Sequence, residues 1–162
     1  MNDHSISRRL VITTLGALGL AGAGGLTLAP RRAHAQQLGQ HETVDEALKR
    51  IFGARPMKDG SGVVKLDLPL IAENGAVVPV SVDVASPMTA ANHVKAIYVV
   101  ADKNRIPVVF RTTLGPEAGQ AAIGATIRLG ETGDVRAIVE QSDGTLLAVK
   151  REVKVTVGGC GG

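Results

Sequence analysis

The 162-residue chain has no tryptophan, one tyrosine, two phenylalanines and a single cysteine, Cys160. One cysteine excludes an intramolecular disulfide and a cysteine-rich metal framework, so Cys160 acts alone or with another molecule. Aromatics at 2% argue against nucleic-acid binding by base stacking and against a carbohydrate platform of aromatic rings. Metal-ligand spacing is missing as well. His41 and His93 stand apart from each other and from Cys160, and both read as surface side chains. There is no P-loop, dinucleotide fingerprint or nucleophile elbow. Nothing in the spacing of the carboxylates nominates an acid–base pair.

Apolar residues make up 44% of the chain, enough for an ordinary core. A formal charge of +3 would suit a polyanion partner, but its location removes that reading. Ser7-Arg8-Arg9 precedes an uncharged run, Leu10 to Pro30, and Arg31-Arg32 then leads into Ala33-His34-Ala35, a small-x-small triplet of the kind signal peptidase cleaves. The run holds five glycines and three threonines, too mildly apolar for a convincing membrane span. The twin arginine before such a stretch resembles a Tat export signal, with Val11 where the motif prefers Phe or Leu. Loss of residues 1–35 removes four of 18 basic and one of 15 acidic side chains, leaving a neutral chain with 14 of each. No nucleic-acid partner, and no membrane after cleavage, is then expected. The destination would be the periplasm, where unpaired thiols are open to oxidation.

Four segments are expected: the export signal at 1–35, a helical segment at 36–57, a sandwich at 58–157 and a flexible arm at 158–162. In the second, Thr43 and Glu46 form a capping box, Val44, Leu48, Ile51 and Phe52 recur at helical spacing, and Gly53 suits the stop. This predicts an amphipathic helix over 44–52. From Val63 onward the period is two, most plainly in Val78, Val80, Val82 and Val84. Further strands are expected at 63–68, 94–100, 108–114, 121–129 and 134–140. Residues 145–157 are expected to form two strands or one bent strand. Asn74-Gly75 and Asp143-Gly144 are read as tight hairpin turns, while Pro69 and Pro79 mark strand edges or breaks. Seven or eight short strands without intervening helices indicate an all-β, immunoglobulin-like antiparallel β-sandwich.

The chain closes on Gly158-Gly159-Cys160-Gly161-Gly162. Four glycines have nothing to pack and a broad conformational range, which predicts a swinging arm with a reach of up to roughly 16–18 Å. No neighbouring base, cation or helix terminus activates the thiol, so activation falls to a partner's site. A nucleophile working in its own active site would be held rigidly beside a base. Cys160 on glycine flanks suits instead a covalent handle that shows a bound group to several proteins in turn. A terminal Gly-Gly also resembles ubiquitin-like sulfur carriers, although that reading uses Gly162 and leaves Cys160 unexplained.

The Tat-like leader, the run Ile71-Ala72-Glu73-Asn74-Gly75-Ala76-Val77-Val78-Pro79-Val80 and the ending Val153–Gly162 together resemble the SoxY family, sulfur-carrier subunits of periplasmic thiosulfate oxidation. The resemblance spans about residues 41–162. It implies an immunoglobulin-like sandwich paired with a SoxZ-like subunit. It implies Cys160 as the attachment site for sulfur intermediates, on an arm formed by Gly158, Gly159, Gly161 and Gly162. The partners implied are the c-type cytochrome SoxAX, the manganese-dependent hydrolase SoxB and the dehydrogenase SoxCD. Since metals and haems belong to those partners, the chain would need no cofactor and would not be an enzyme. The alternative from another class is a periplasmic structural or redox-sensing module that forms an intermolecular disulfide through Cys160.

Overall fold

The computed structural model describes residues 41–159; the export signal expected at 1–35 lies outside them. The first element, α1 (Val44–Phe52), forms where its caps say it should. The Thr43 hydroxyl accepts the Glu46 N–H at 3.3 Å, and the Glu46 carboxylate accepts the Thr43 N–H at 2.8 Å. Gly53 ends the helix at φ 64°, its N–H donating to Lys49 O. Asp45 and Glu46 in the first turn and Lys49 and Arg50 in the last complement the helix dipole.

Nine strands follow: β1 (Met57–Asp59), β2 (Val64–Asp67), β3 (Ile71–Ala72), β4 (Val78–Val84), β5 (Val94–Ala101), β6 (Val108–Thr113), β7 (Ala121–Ile127), β8 (Gly133–Gln141) and β9 (Leu146–Val155). One sheet has the order β1-β9-β8-β5-β6, with β3 also on β9; the other is β2-β4-β7. They face each other as an immunoglobulin-like sandwich. Between them lie Val78, Val80, Val82 and Val84 from β4, Val64 and Leu66 from β2, and Ile97, Val99, Val135 and Val139 from the larger sheet. The alternation read along β4 is thus the inner face of a strand whose Pro79, Ser81 and Asp83 face solvent.

Strand β5 is buried on both faces. Ile97 and Val99 enter the main core, whereas Ala96, Tyr98 and Val100 face a second cluster with Phe52, Ile138 and Leu146. That second cluster is where α1 packs, and its Phe52 ring meets Tyr98 edge-on at 4.9 Å. Arg55, just past the helix, reaches Glu140 of β8 at 3.0 Å, with Lys95 of β5 at 3.5 Å on the same carboxylate. Burial works to raise the Glu140 pKa, but the Arg55 hydrogen bond and the Lys95 charge outweigh it and hold the group below its ordinary value.

Two expectations need correction, and one left open is decided. The sandwich is not wholly antiparallel, because β1 and β3 each pair with β9 in parallel. Residues 146–155 form one strand of ten residues, the single-strand alternative of the two expected for 145–157. Asn74-Gly75 makes no hairpin: β3 joins one sheet and β4 the other, so the dipeptide lies on a crossover between sheets. Its form is an Asx turn, with Asn74 Oδ1 accepting the Ala76 N–H at 2.9 Å. Asp143-Gly144 is the tight turn expected, with Gly144 at φ 84° between β8 and β9. Pro69 follows the end of β2, and Pro79 lies beyond the last β2–β4 pair, Asp67↔Ser81, so neither interrupts a ladder on that side.

Phe52 is 3% exposed, and removing its ring empties the contact between α1 and the sheet. Phe52→Ala should cost about 3–5 kcal/mol in denaturant unfolding. A cost below about 1 kcal/mol would show that α1 does not share the cooperative unit.

Candidate functional site

The segment carrying the cysteine leaves the sandwich at the end of β9. Along its last stretch β9 is held from two sides. On one, the chain of β3 and its continuation runs parallel to it. Lys154 N–H donates to Leu70 O at 3.0 Å, Thr156 N–H to Ala72 O at 3.1 Å, and Gly75 N–H to Val157 O at 2.7 Å. The Thr156 hydroxyl adds a bond to Glu73 O at 2.9 Å. On the other side, Val155 N–H donates to Thr132 Oγ1 at 2.9 Å. The ladder therefore continues past the last strand residue.

Beyond Val157 the chain stays on the sandwich for two more residues. Gly159 is buried, and its N–H donates to Leu129 O at 2.9 Å, while Leu129 N–H donates to Gly75 O at 2.7 Å. Three backbone segments meet here with no side chain between them. A Cβ on Gly75 would run into Leu129 O and lie 2.8 Å from Gly159 N. A Cβ on Gly159 would lie 2.7 Å from Ala76 N and from Gly75 O, and one on Gly158 would strike Gly130 O. None of the three glycines has a positive φ, so close approach, and not turn geometry, accounts for the residue type.

The Leu129 segment is itself clamped. Asn104, 6% exposed on the turn after β5, donates from Nδ2 to Arg128 O at 2.7 Å and accepts the Gly130 N–H on Oδ1 at 3.0 Å. One side chain thus satisfies the backbone on both sides of Leu129, whose own side chain is buried in the main core.

Of the residues singled out from the sequence, Gly159 is hydrogen-bonded to the sandwich and Gly158 lies exposed against Gly130 O, which differs from an arm swinging from Gly158. Cys160, Gly161 and Gly162 lie outside the described residues. His93 is half-buried with Nδ1 3.1 Å from Thr89 O, and His41 is exposed. Among the described residues, no three His, Cys, Asp or Glu side chains are grouped to hold a metal. Around the root of the cysteine segment four apolar side chains face outward: Leu70 (71% exposed), Ile71 (57%), Val77 (63%) and Val157 (64%). Asn104, Leu129 and Gly130 escaped the sequence reading as site residues, since an isolated Asn and an adjacent Leu-Gly pair carry no motif. Gly75 was visible, but as a turn residue.

Comparison with known proteins decides the family. The family model for the sulfur oxidation protein SoxY matches residues 48–160. The chain belongs to the SoxY family. Among solved structures, the sulfur carrier protein SoxY from Chlorobium limicola f thiosulfatophilum aligns at 29% identity and TM-score 0.59, over 71% of this chain and 97% of that one. The superoxide reductase (neelaredoxin) of Ignicoccus hospitalis aligns at 21% identity and TM-score 0.51, over 57% of this chain and 80% of that one. A putative superoxide reductase from Thermotoga maritima aligns at 18% and 0.51, over 62% and 93%. At such identity the reductases share the fold alone. No curated protein matches the chain. Family membership supports a sulfur-oxidation carrier role for the chain.

Gly75→Ala should destabilise the protein by about 1–3 kcal/mol, because the added methyl group meets backbone that has no room to move. Gly62→Ala, where a Cβ would meet nothing within 4 Å, serves as the control and should change stability little. Equal denaturation midpoints for the two variants would refute the packing argument.

Proposed function

We propose that the chain carries thiosulfate-derived sulfur covalently on Cys160, in the periplasm, and presents it to partner enzymes. The observation that supports this most is that the family match extends to Cys160 itself, directly after a root built of backbone contacts. A cysteine held next to such a root and flanked by glycine meets what a carrier requires: a nucleophilic sulfur, no bulk beside it, and no catalytic apparatus of its own.

The chemistry proposed is a cycle on one sulfur. The Cys160 thiolate and thiosulfate couple through a new S–S bond, giving a protein S-thiosulfonate and releasing two electrons to a c-type cytochrome of the SoxAX kind. Hydrolysis by a SoxB-like enzyme then adds water across the outer sulfur–sulfur bond, so that sulfate leaves with the oxygen and the persulfide keeps the hydrogen. A SoxCD-like dehydrogenase oxidises that outer sulfur by withdrawing electrons with oxygen from water, and a second hydrolysis restores the thiol. Thiolates form and exchange S–S bonds reversibly, while oxidised and persulfidated states are short-lived unless handed on. A SoxZ-like subunit is proposed as the stable partner.

Protein recovered from the periplasm of cells oxidising thiosulfate should carry thiosulfonate or persulfide mass on the peptide containing Cys160. The adduct should be absent after Cys160→Ser, and thiosulfate-dependent electron release should fall to background. An unmodified thiol during turnover would sink the reading. So would a Cys160-linked dimer that forms regardless of thiosulfate.

A further inference from the structure

A strip of hydrogen bonds runs from Asn104 through the Leu129 backbone to Gly159. Asn104 lies on the turn after β5, remote in sequence from the C-terminal segment, yet both polar ends of its side chain are spent on Arg128 O and Gly130 N–H. Those two groups flank Leu129. The Leu129 carbonyl receives the Gly159 N–H, and Gly159 immediately precedes Cys160. Leu129 N–H in turn holds Gly75 O, and Gly75 N–H holds Val157 O. The last residues before the cysteine are therefore bonded at Val157 to Gly75 and at Gly159 to Leu129, and both attachments converge on the one loop that Asn104 clamps.

We infer that Asn104 is a positioning residue for Cys160: by fixing the carbonyl of Leu129 it latches Gly159, the residue before the cysteine, to the sandwich. The positioning role rests on the carrier reading above; the latch itself does not. The side-chain bonds of Asn104 go to Arg128 O and Gly130 N–H, so it acts through the Arg128–Gly130 backbone. Buried amide side chains of this kind are costly to leave half-satisfied, and removing one strands the two backbone groups it served. Gly158 belongs to the same device from the outside, because its missing Cβ is what lets the strap lie against Gly130 O.

The test uses amide hydrogen exchange by NMR on the whole protein, with two variants. Asn104→Ala removes the clamp. Gly158→Ala lifts the strap at the surface and leaves Asn104 in place, which keeps the test open should the first variant fold poorly. In both, the Gly159 and Gly75 amides should exchange about tenfold faster, equivalent to about 1.4 kcal/mol, while amides in the β5–β8 ladder keep their protection. Enzymatic loading of Cys160 from thiosulfate should lose several-fold in kcat/KM, and alkylation of the thiol by a small uncharged reagent should be unchanged. Unaltered Gly159 exchange in both variants would overturn the latch, whatever happens to loading. Faster exchange with undiminished loading would overturn the positioning role. If the wild-type protein takes up no sulfur from thiosulfate, the carrier reading fails, while the exchange data still judge the latch.

Discussion

Leu129 ties the hydrophobic core to the root of the cysteine segment. Its side chain is 2% exposed in the main core, and its backbone is bonded at N–H to Gly75 and at C=O to Gly159. A residue anchored in a close-packed interior has little freedom to shift, so whatever its backbone holds inherits that rigidity. Asn104 removes the remaining freedom by bonding the residues on either side. Strand β9 delivers the chain to this point, paired with β8 along one edge and with β1 and β3 at the two ends of the other.

Much of this was legible residue by residue, and the parts that were not share a cause. The helix was readable because Thr43, Glu46 and Gly53 are local signals, each acting within one turn. The inner face of β4 was readable because alternation is also local. Asn74-Gly75 misled, since the dipeptide that favours a hairpin is equally content in an Asx turn, and the partner of β3 is β9, far along the chain. The two-residue and three-residue strands β3 and β1 are too short for any period to register; they exist because β9 offers them an edge. Asn104 has no sequence signature at all, because what makes it matter is a pair of backbone groups 24 and 26 residues away.

Glycine near the cysteine invites one explanation, conformational freedom, and the structure supplies a different one for half of the set. At Gly75, Gly158 and Gly159 the absent Cβ is what permits backbone to lie on backbone. The two segments that carried the family resemblance, Ile71–Val80 and the chain from Val153 onward, are the ones that meet there. The superoxide reductases that share the fold illustrate the separation of scaffold and site: the sandwich is common, whereas a carrier's chemistry resides in what is attached to it.

Latching two residues changes what a tether can do. Each extended residue supplies at most about 3.3–3.6 Å of span, so fixing Gly158 and Gly159 withdraws roughly 7 Å from the reach of the sulfur. What is lost in reach is gained in local concentration, because a shorter tether confines its end to a smaller volume. A carrier served by a docked enzyme benefits from that exchange as long as the enzyme binds close to the root. Leu70, Ile71, Val77 and Val157 stand exposed on the chain around that root. A partner docked on that apolar rim would meet the proposed attachment residue, Cys160, one residue beyond the latched Gly159 and so within the same footprint.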